Sequence, residues 1–159
     1  VIEGANAVAT GLVLMGAITG EGSWFTAIAF WFGGQILIVI TTIIYAWITP
    51  YDDLEEIEIK DNAAVGIGYA GAMIAVGNLI RHGLSVEYVS WVESTIDVLA
   101  DVAIGLVFLP IARFVADKVL LPGQKLTDEI VNQEKPNIGA ALIEAFAYIG
   151  GSVLITWCL

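Results

Sequence analysis

Glu93, Asp97 and Asp101 recur at every fourth residue of an otherwise apolar stretch, and Glu144 stands alone in another. Residues four apart share one face of a helix, so the first three form a column of carboxylates, which Gly105 continues. Carboxylates aligned in this way can hold a small cation or hand protons along. At the centre of a bilayer an ionised one costs about 2.5–3.5 kcal/mol on insertion scales, so it faces a bundle interior or a wet cavity. With Trp91 taken as interfacial, Glu93 lies near the surface, Asp97 deeper, and Asp101 about 15 Å beyond Trp91 at the helical rise. Glu144 approaches from the other side, about 10 Å past Asn137 by the same rise. Among Lys and Arg only Arg113 falls inside a hydrophobic run, far from Asp101 along its own helix.

Three roles are open to these acids. They can be protonated or hydrogen-bonded within the bundle, with Thr10, Asn78, Tyr69 or Thr156 as partners, and so specify assembly. They can line a water-filled cation or proton pathway, Asp97 and Asp101 serving the outer half and Glu144 the inner half. Or the fourth helix starts later and the acids are simply wet.

The elements that would position them are membrane-spanning helices. Of 159 residues 58% are hydrophobic and only 14% charged, and the mean hydropathy is +0.83, which makes the bilayer the solvent. A span needs about 20 mostly apolar residues. Five runs qualify, at about residues 2–20, 24–48, 62–80, 88–116 and 137–159, joined by a break at Glu21-Gly22-Ser23, a turn at Arg81 to Glu87, and longer joints at about 49–61 and 117–136. The run from Trp24 to Ile48 contains no charge at all and ends at Thr49-Pro50. Barrel strands would alternate apolar and polar residues, and these runs are apolar all round. The expected fold is therefore an all-α integral membrane protein, residues 1–159 forming a single transmembrane domain.

Short cytoplasmic loops carry the excess of Lys and Arg. Lys60, Lys118, Lys125 and Lys135, with Arg113 nearby, belong to the ends joined by the two longer joints, and only Arg81 lies opposite. The Pro50 and Pro122 joints are thus expected in the cytoplasm and the C-terminus outside. The net charge of −11 says little about partners, because most of the acids sit in short connections where water and counterions screen them. The single cysteine, Cys158, excludes an intrachain disulfide.

The two longer joints read alike. Thr49-Pro50 through Asp52-Asp53, Glu55-Glu56 and Ile57 answers to Leu121-Pro122 through Asp128-Glu129-Ile130, each a helix-ending proline followed by an acidic pair before Ile. Downstream, Asn62-Ala63-Ala64 answers to Asn137-Ile138-Gly139-Ala140, and the first helix contains Asn6-Ala7-Val8-Ala9. Asn6, Asn62 and Asn137 thus read as three helix-opening caps. Two helices intervene between copies, which implies parallel two-helix repeats about an axis along the membrane normal. The acids between proline and asparagine read as a solvated face.

On these residues, Thr49 to Ile57, Asn62-Ala63 with the glycine-rich helix to Gly77, and Asp128-Glu129-Ile130 through Asn137 and Ala140, the chain resembles the YjfL-like small inner-membrane protein family, domain of unknown function three-fifty. The resemblance covers nearly the whole chain. It implies a bacterial cytoplasmic-membrane location and one more helix before the first, so that the full-length protein would have six; it implies no activity.

Small residues four apart let helix backbones approach closely in lipid. Gly16 with Gly20, Gly66 with Ala70, and Gly68 with Ala64 and Ala72 have this spacing, and Gly71 lies among them, which makes the third helix the central one. Trp24, Trp47, Trp91 and Trp157 lie near helix ends, as an interfacial belt requires, and Trp31 does not. His82, the only histidine, sits beside Arg81 at a helix end and reads as a surface residue. With no second His and no Cys cluster a transition-metal site is not expected, and no phosphate-cradling loop or nucleophile elbow appears. Neither cofactor nor nucleic acid is expected. The function expected is a non-enzymatic cation or proton pathway lined by Asp97, Asp101 and Glu144 with Glu93 at its mouth. The alternative is a non-conducting structural or accessory subunit that assembles with itself or a membrane complex, with lipids as its other partners.

Overall fold

Four of the long helices begin at a side chain that satisfies the free N–H groups of a first turn. Ser23 accepts from Thr26 N (3.3 Å), Asn62 from Ala64 N and Val65 N (3.1 and 3.3 Å), Ser90 from Glu93 N (3.2 Å) and Asn137 from Ala140 N (3.2 Å). In a computed structural model, which describes residues 1–20 and 22–159, these starts give α2 (Trp24–Ile48), α3 (Ala63–Ser85), α4 (Trp91–Val115) and α6 (Ile138–Cys158). They follow α1 (Ile2–Thr19), and a short α5 (Leu126–Ile130) lies in the second joint. Glu21, read above as part of the first break, lies outside the described residues. Five of the helices among the described residues are long and apolar enough to cross a membrane.

Pro50 has no N–H and holds Thr49 extended (φ −67°, ψ 143°), which ends α2. The joints are more ordered than loops. Residues Glu55–Ile59 form a π-helical turn, and α4 runs on into another at Ala116–Leu120.

Several boundaries differ from the sequence expectation. The third helix continues to Ser85 rather than ending near 80. Gly83 does not break it because that glycine meets the backbone of Val98, where a side chain would not fit. Arg81 and His82 consequently belong to a helix face rather than to a turn. The fourth helix starts at Trp91, not 88, because Ser90 is its cap. Asn6 lies inside α1, exposed, and caps nothing: the helix begins at Ile2 with Val1 at its cap position. The asparagine opening therefore occurs at two helix starts, not three.

Those two are built alike. The Asn62 amide donates to Glu56 Oε2 (2.9 Å) and its backbone N–H to the Glu56 carbonyl (2.9 Å). Asn137 does the same with Glu129 (2.8 Å for both bonds). The solvated face expected of the joint acids fails at two of them. Glu56 and Asp53 are buried because they anchor the joint from within.

α3 is the central helix. Of its most apolar window 72% is buried, against 22% for α2, and it touches α1, α2, α4 and α6. A Cβ on Gly16 would come within 2.5 Å of the Arg81 carbonyl, one on Gly20 within 2.7 Å of the Leu84 carbonyl, and one on Gly71 within 2.5 Å of Ala145 Cα. Glycine is what permits these backbones to meet. Gly66 differs, since a Cβ there would meet nothing within 4 Å.

The outer surface is apolar. Along α2 the exposed side chains include Phe25, Ile28, Phe32, Ile36, Val39, Ile43 and Trp47, a lengthwise face that water would not tolerate. Hydrogen bonds fix which ends lie together. Asn62 donates to the Ile130 carbonyl (2.9 Å) and Arg113 to the Tyr51 hydroxyl (3.4 Å), so both joints share one end of the bundle. Thr19 bonds Ser85 (3.1 Å), and Phe30 stacks on Trp91 (5.1 Å between centroids), at the opposite end.

Candidate functional site

Glu144, Tyr148, Ser152 and Thr156 succeed one another every four residues along α6. They make a polar line about 18 Å long at the helical rise on the face turned to α3. The first three are fully buried, so each needs a partner from inside the bundle.

Glu144 finds two. Arg113, the cation inside a hydrophobic run, crosses from α4 to pair with Glu144 Oε1, and the Tyr148 hydroxyl donates to the same oxygen (2.8 Å). Arg113 is fixed in turn by Thr127 Oγ1 (3.2 Å) and by the Tyr51 ring beneath its guanidinium (5.3 Å to the centroid). Tyr45 packs edge-on against both Tyr148 and Tyr69 (5.8 and 5.7 Å). Asp53, next to this group on the first joint, accepts from the Thr49 hydroxyl. Burial pushes Asp53 up to about 6 against the pull of Thr49 and Arg113. Burial likewise raises the Tyr51 phenol, with Glu144 adding to the effect. For Glu56, burial would raise the carboxyl, but hydrogen bonds from Lys60 and Asn62 outweigh it and hold it low. Glu144 Oε2, Asp53 Oδ1 and the Tyr45 hydroxyl are buried with no hydrogen-bond partner among the described residues.

At the far end of the bundle, His82 Nδ1 meets Asp101 Oδ2 at 2.7 Å, the two side chains 25% and 11% exposed. The surface histidine expected from the sequence is therefore a partner of the most deeply placed acid of α4. Beside it, Arg81 Nε donates to Asn78 Oδ1 (3.1 Å), and the Asn78 amide to Ser152 (3.3 Å) and Thr156 (3.5 Å) on α6.

The four acids considered for a pathway are not brought together. Glu144 belongs to the joint end and Asp101 to the other. Asp97 is half-buried with no hydrogen-bond partner among the described residues, and Glu93 is exposed and held only by Ser90 (3.4 Å). The polar partners expected for the acids are engaged elsewhere: Thr10 bonds Gln35 (2.8 Å), Asn78 and Thr156 bond each other, and Tyr69 packs on Tyr45. Sequence reasoning missed His82, Tyr148, Tyr51, Asp53 and Arg113 as the partners that matter. The four-residue spacing from Glu144 through Thr156 was the one signal that could have found a buried polar face.

Chemically, an acid closed off by an arginine and a tyrosine is a buried ion pair with one carboxylate oxygen engaged. A histidine–aspartate pair with residual exposure can exchange a proton. Among the described residues no group of three or more His, Cys, Asp or Glu could hold a metal ion. A family model described as Domain of Unknown Function (DUF350) matches residues 22–159. No curated protein and no solved structure matches the chain.

Proposed function

The chain belongs to the DUF350 family, and we propose that it is a multi-spanning, non-enzymatic protein of a bacterial cytoplasmic membrane that serves as a non-conducting subunit, assembling with itself or with a partner complex. One observation carries this: Glu144 is completely shut off from the surface and its partners, Arg113 and Tyr148, come from within the bundle. An acid lining a path for ions needs water on at least one side, whereas an acid that specifies assembly is dry and paired.

The apolar faces of α2 and α4 support the membrane placement, and the small buried share of α2 leaves a helix surface free for lipid or a partner helix. The matched Glu56–Asn62 and Glu129–Asn137 caps support two-helix repeats running in parallel. The clustering of basic residues at the joint end supports a cytoplasmic location for the Pro50 and Pro122 joints, with the C-terminus outside.

The test is proton and K⁺ flux in liposomes containing the purified protein. Wild type is expected to pass neither above empty liposomes. Flux present in wild type and lost in Asp101→Asn and Glu144→Gln, with the fold intact, overturns the non-conducting role.

A second role is favoured by the partial exposure of His82 and Asp101, an imidazole and a carboxyl in contact. There the protein exchanges protons at one end of the bundle only. Proton uptake by the purified protein after a pH step, abolished by His82→Gln and by Asp101→Asn in proteins that melt normally and show no flux across liposomes, would select it.

A further inference from the structure

Basic side chains are scarce in this chain, six in all against a net charge of −11, yet three of them line one cavity. Arg113, Lys118 and Lys125 surround a space of about 300 Å³ at the joint end of α4, with Asp117 the one carboxylate among them. That carboxylate is already committed, accepting from Leu126 N (2.6 Å) and pairing with Lys118 (2.7 Å). Lys125 is the freest of the three, 74% exposed with its nearest carboxylate, Asp128, at 4.0 Å. With Arg113 offset by Glu144 and Lys118 by Asp117, the positive charge left over on the lining is that of Lys125, and the two lysines are exposed enough to turn from their surface partners to an anion.

Its position narrows the anion. The cavity opens where the apolar runs of α2 and α4 give way to the polar joint, and its wall includes Ile48 and Phe114, both exposed apolar side chains. A soluble anion has no use for that wall. We propose that this cavity binds the phosphate of an anionic phospholipid, Lys118 and Lys125 clasping the phosphate while Ile48 and Phe114 receive the upper part of an acyl chain. Arg113 forms the back wall of the site, its charge offset by Glu144 and its guanidinium also held by Thr127. Basic pockets at the cytoplasmic level of a helical bundle take lipid head groups by the same physics, and charge-assisted bonds to phosphate oxygens are the strong ones. The inference rests on the membrane-spanning placement proposed above.

The experiment uses the whole chain, and it first asks whether the protein resists alkaline extraction from membranes. Release into the soluble fraction would sink the membrane placement itself, independently of any lipid. The protein is then purified from mixed phosphatidylcholine–phosphatidylglycerol nanodiscs into mild detergent and the retained lipid is quantified. Wild type is expected to retain phosphatidylglycerol in preference to phosphatidylcholine. In Lys118→Gln/Lys125→Gln the preference should fall by about fivefold per lysine, the factor that goes with about 1 kcal/mol. The control Lys60→Gln/Lys135→Gln, with the same change in net charge, should keep it. No preference in wild type, or equal losses in the two double variants, overturns the proposal. Inorganic phosphate protecting the detergent-solubilised protein from thermal unfolding as well as phosphatidylglycerol does would also overturn it, by assigning the site to a soluble anion.

Discussion

Glu144 of α6 lies between Arg113 of α4 and Gly68 of α3: one carboxylate oxygen takes the guanidinium, and the other would stand 2.7 Å from a Cβ placed on the glycine. The far end of the bundle repeats the arrangement. Asp101 meets His82 with the same oxygen that would stand 3.2 Å from a Cβ on Gly83. Each of these two buried acids thus has a cation or an imidazole and a glycine of the central helix as immediate neighbours. The glycine makes room for the carboxylate and the partner compensates its charge.

Removing one member of the Arg113–Glu144 pair leaves the other buried alone, and a broken buried pair costs about 3–5 kcal/mol. Arg113→Met and Glu144→Leu are each expected to lower the unfolding midpoint in detergent sharply. The double variant, in which no charge remains buried, should recover much of the loss. If the double variant is as unstable as the two single losses added together, the pair is not the coupled unit described here.

Two glycines of α3 separate close packing from mere smallness. At Gly71 a methyl group collides with the backbone of Ala145, so Gly71→Ala should destabilise by about 1–3 kcal/mol through overpacking. At Gly66 there is open space, and Gly66→Ala should be neutral or stabilising by up to about 1 kcal/mol, because alanine is the better helix former. Thermal melts of the two variants side by side give the comparison, and equal effects would contradict the packing.

The two asparagine caps should differ in weight although their geometry matches. Asn62 is buried, caps two N–H groups and also ties the first joint to the Ile130 carbonyl of the second; Asn137 is exposed and caps one. A lost cap costs about 1 kcal/mol, and a buried acceptor left without its donor adds about 1–3 kcal/mol. Asn62→Ala is therefore expected to be clearly the worse of the two, as measured by proteolytic nicking of the joints and by the unfolding midpoint.

What could be read from sequence follows from how local each cause is. The charge-free run of α2 and its end at Pro50 are properties of contiguous residues, and the run matched the helix without adjustment. The central place of α3 was also legible, because a helix that is small on several faces can be surrounded. The pairing of Arg113 with Glu144 was not. The residues are 31 apart on different helices, and only the packing of α4 against α6 brings them together. His82 was misplaced for a more local reason: without a proline before residue 86 nothing stops α3 near 80, and five further residues turned a presumed surface ring toward Asp101. The joint acids misled in another way, since a run of carboxylates reads as uniformly wet. The π-helical turn and the cap bonds draw Asp53 and Glu56 inward while Asp52, Glu55 and Glu58 stay exposed.

Asp53 supplies a prediction whose sign can be worked out. Its carboxyl is pushed up to about 6 in the fold, above its ordinary value of 3.8, because burial disfavours the charged form more than Thr49 and Arg113 favour it. Between those two values the folded protein binds more protons than the unfolded chain, so stability falls as pH rises through the window and levels off above it. The protonated acid is the comfortable one. The shift corresponds to of order 2 kcal/mol once screening at the partly open joint is allowed for. Asp53→Asn keeps the shape and removes the titration, so its stability should show a weaker decline than wild type between pH 4 and 6 and exceed wild type at pH 7. Unfolding midpoints of both proteins across that range provide the measurement. Parallel curves would mean that the Asp53 carboxylate is better compensated than its burial next to Thr49 implies.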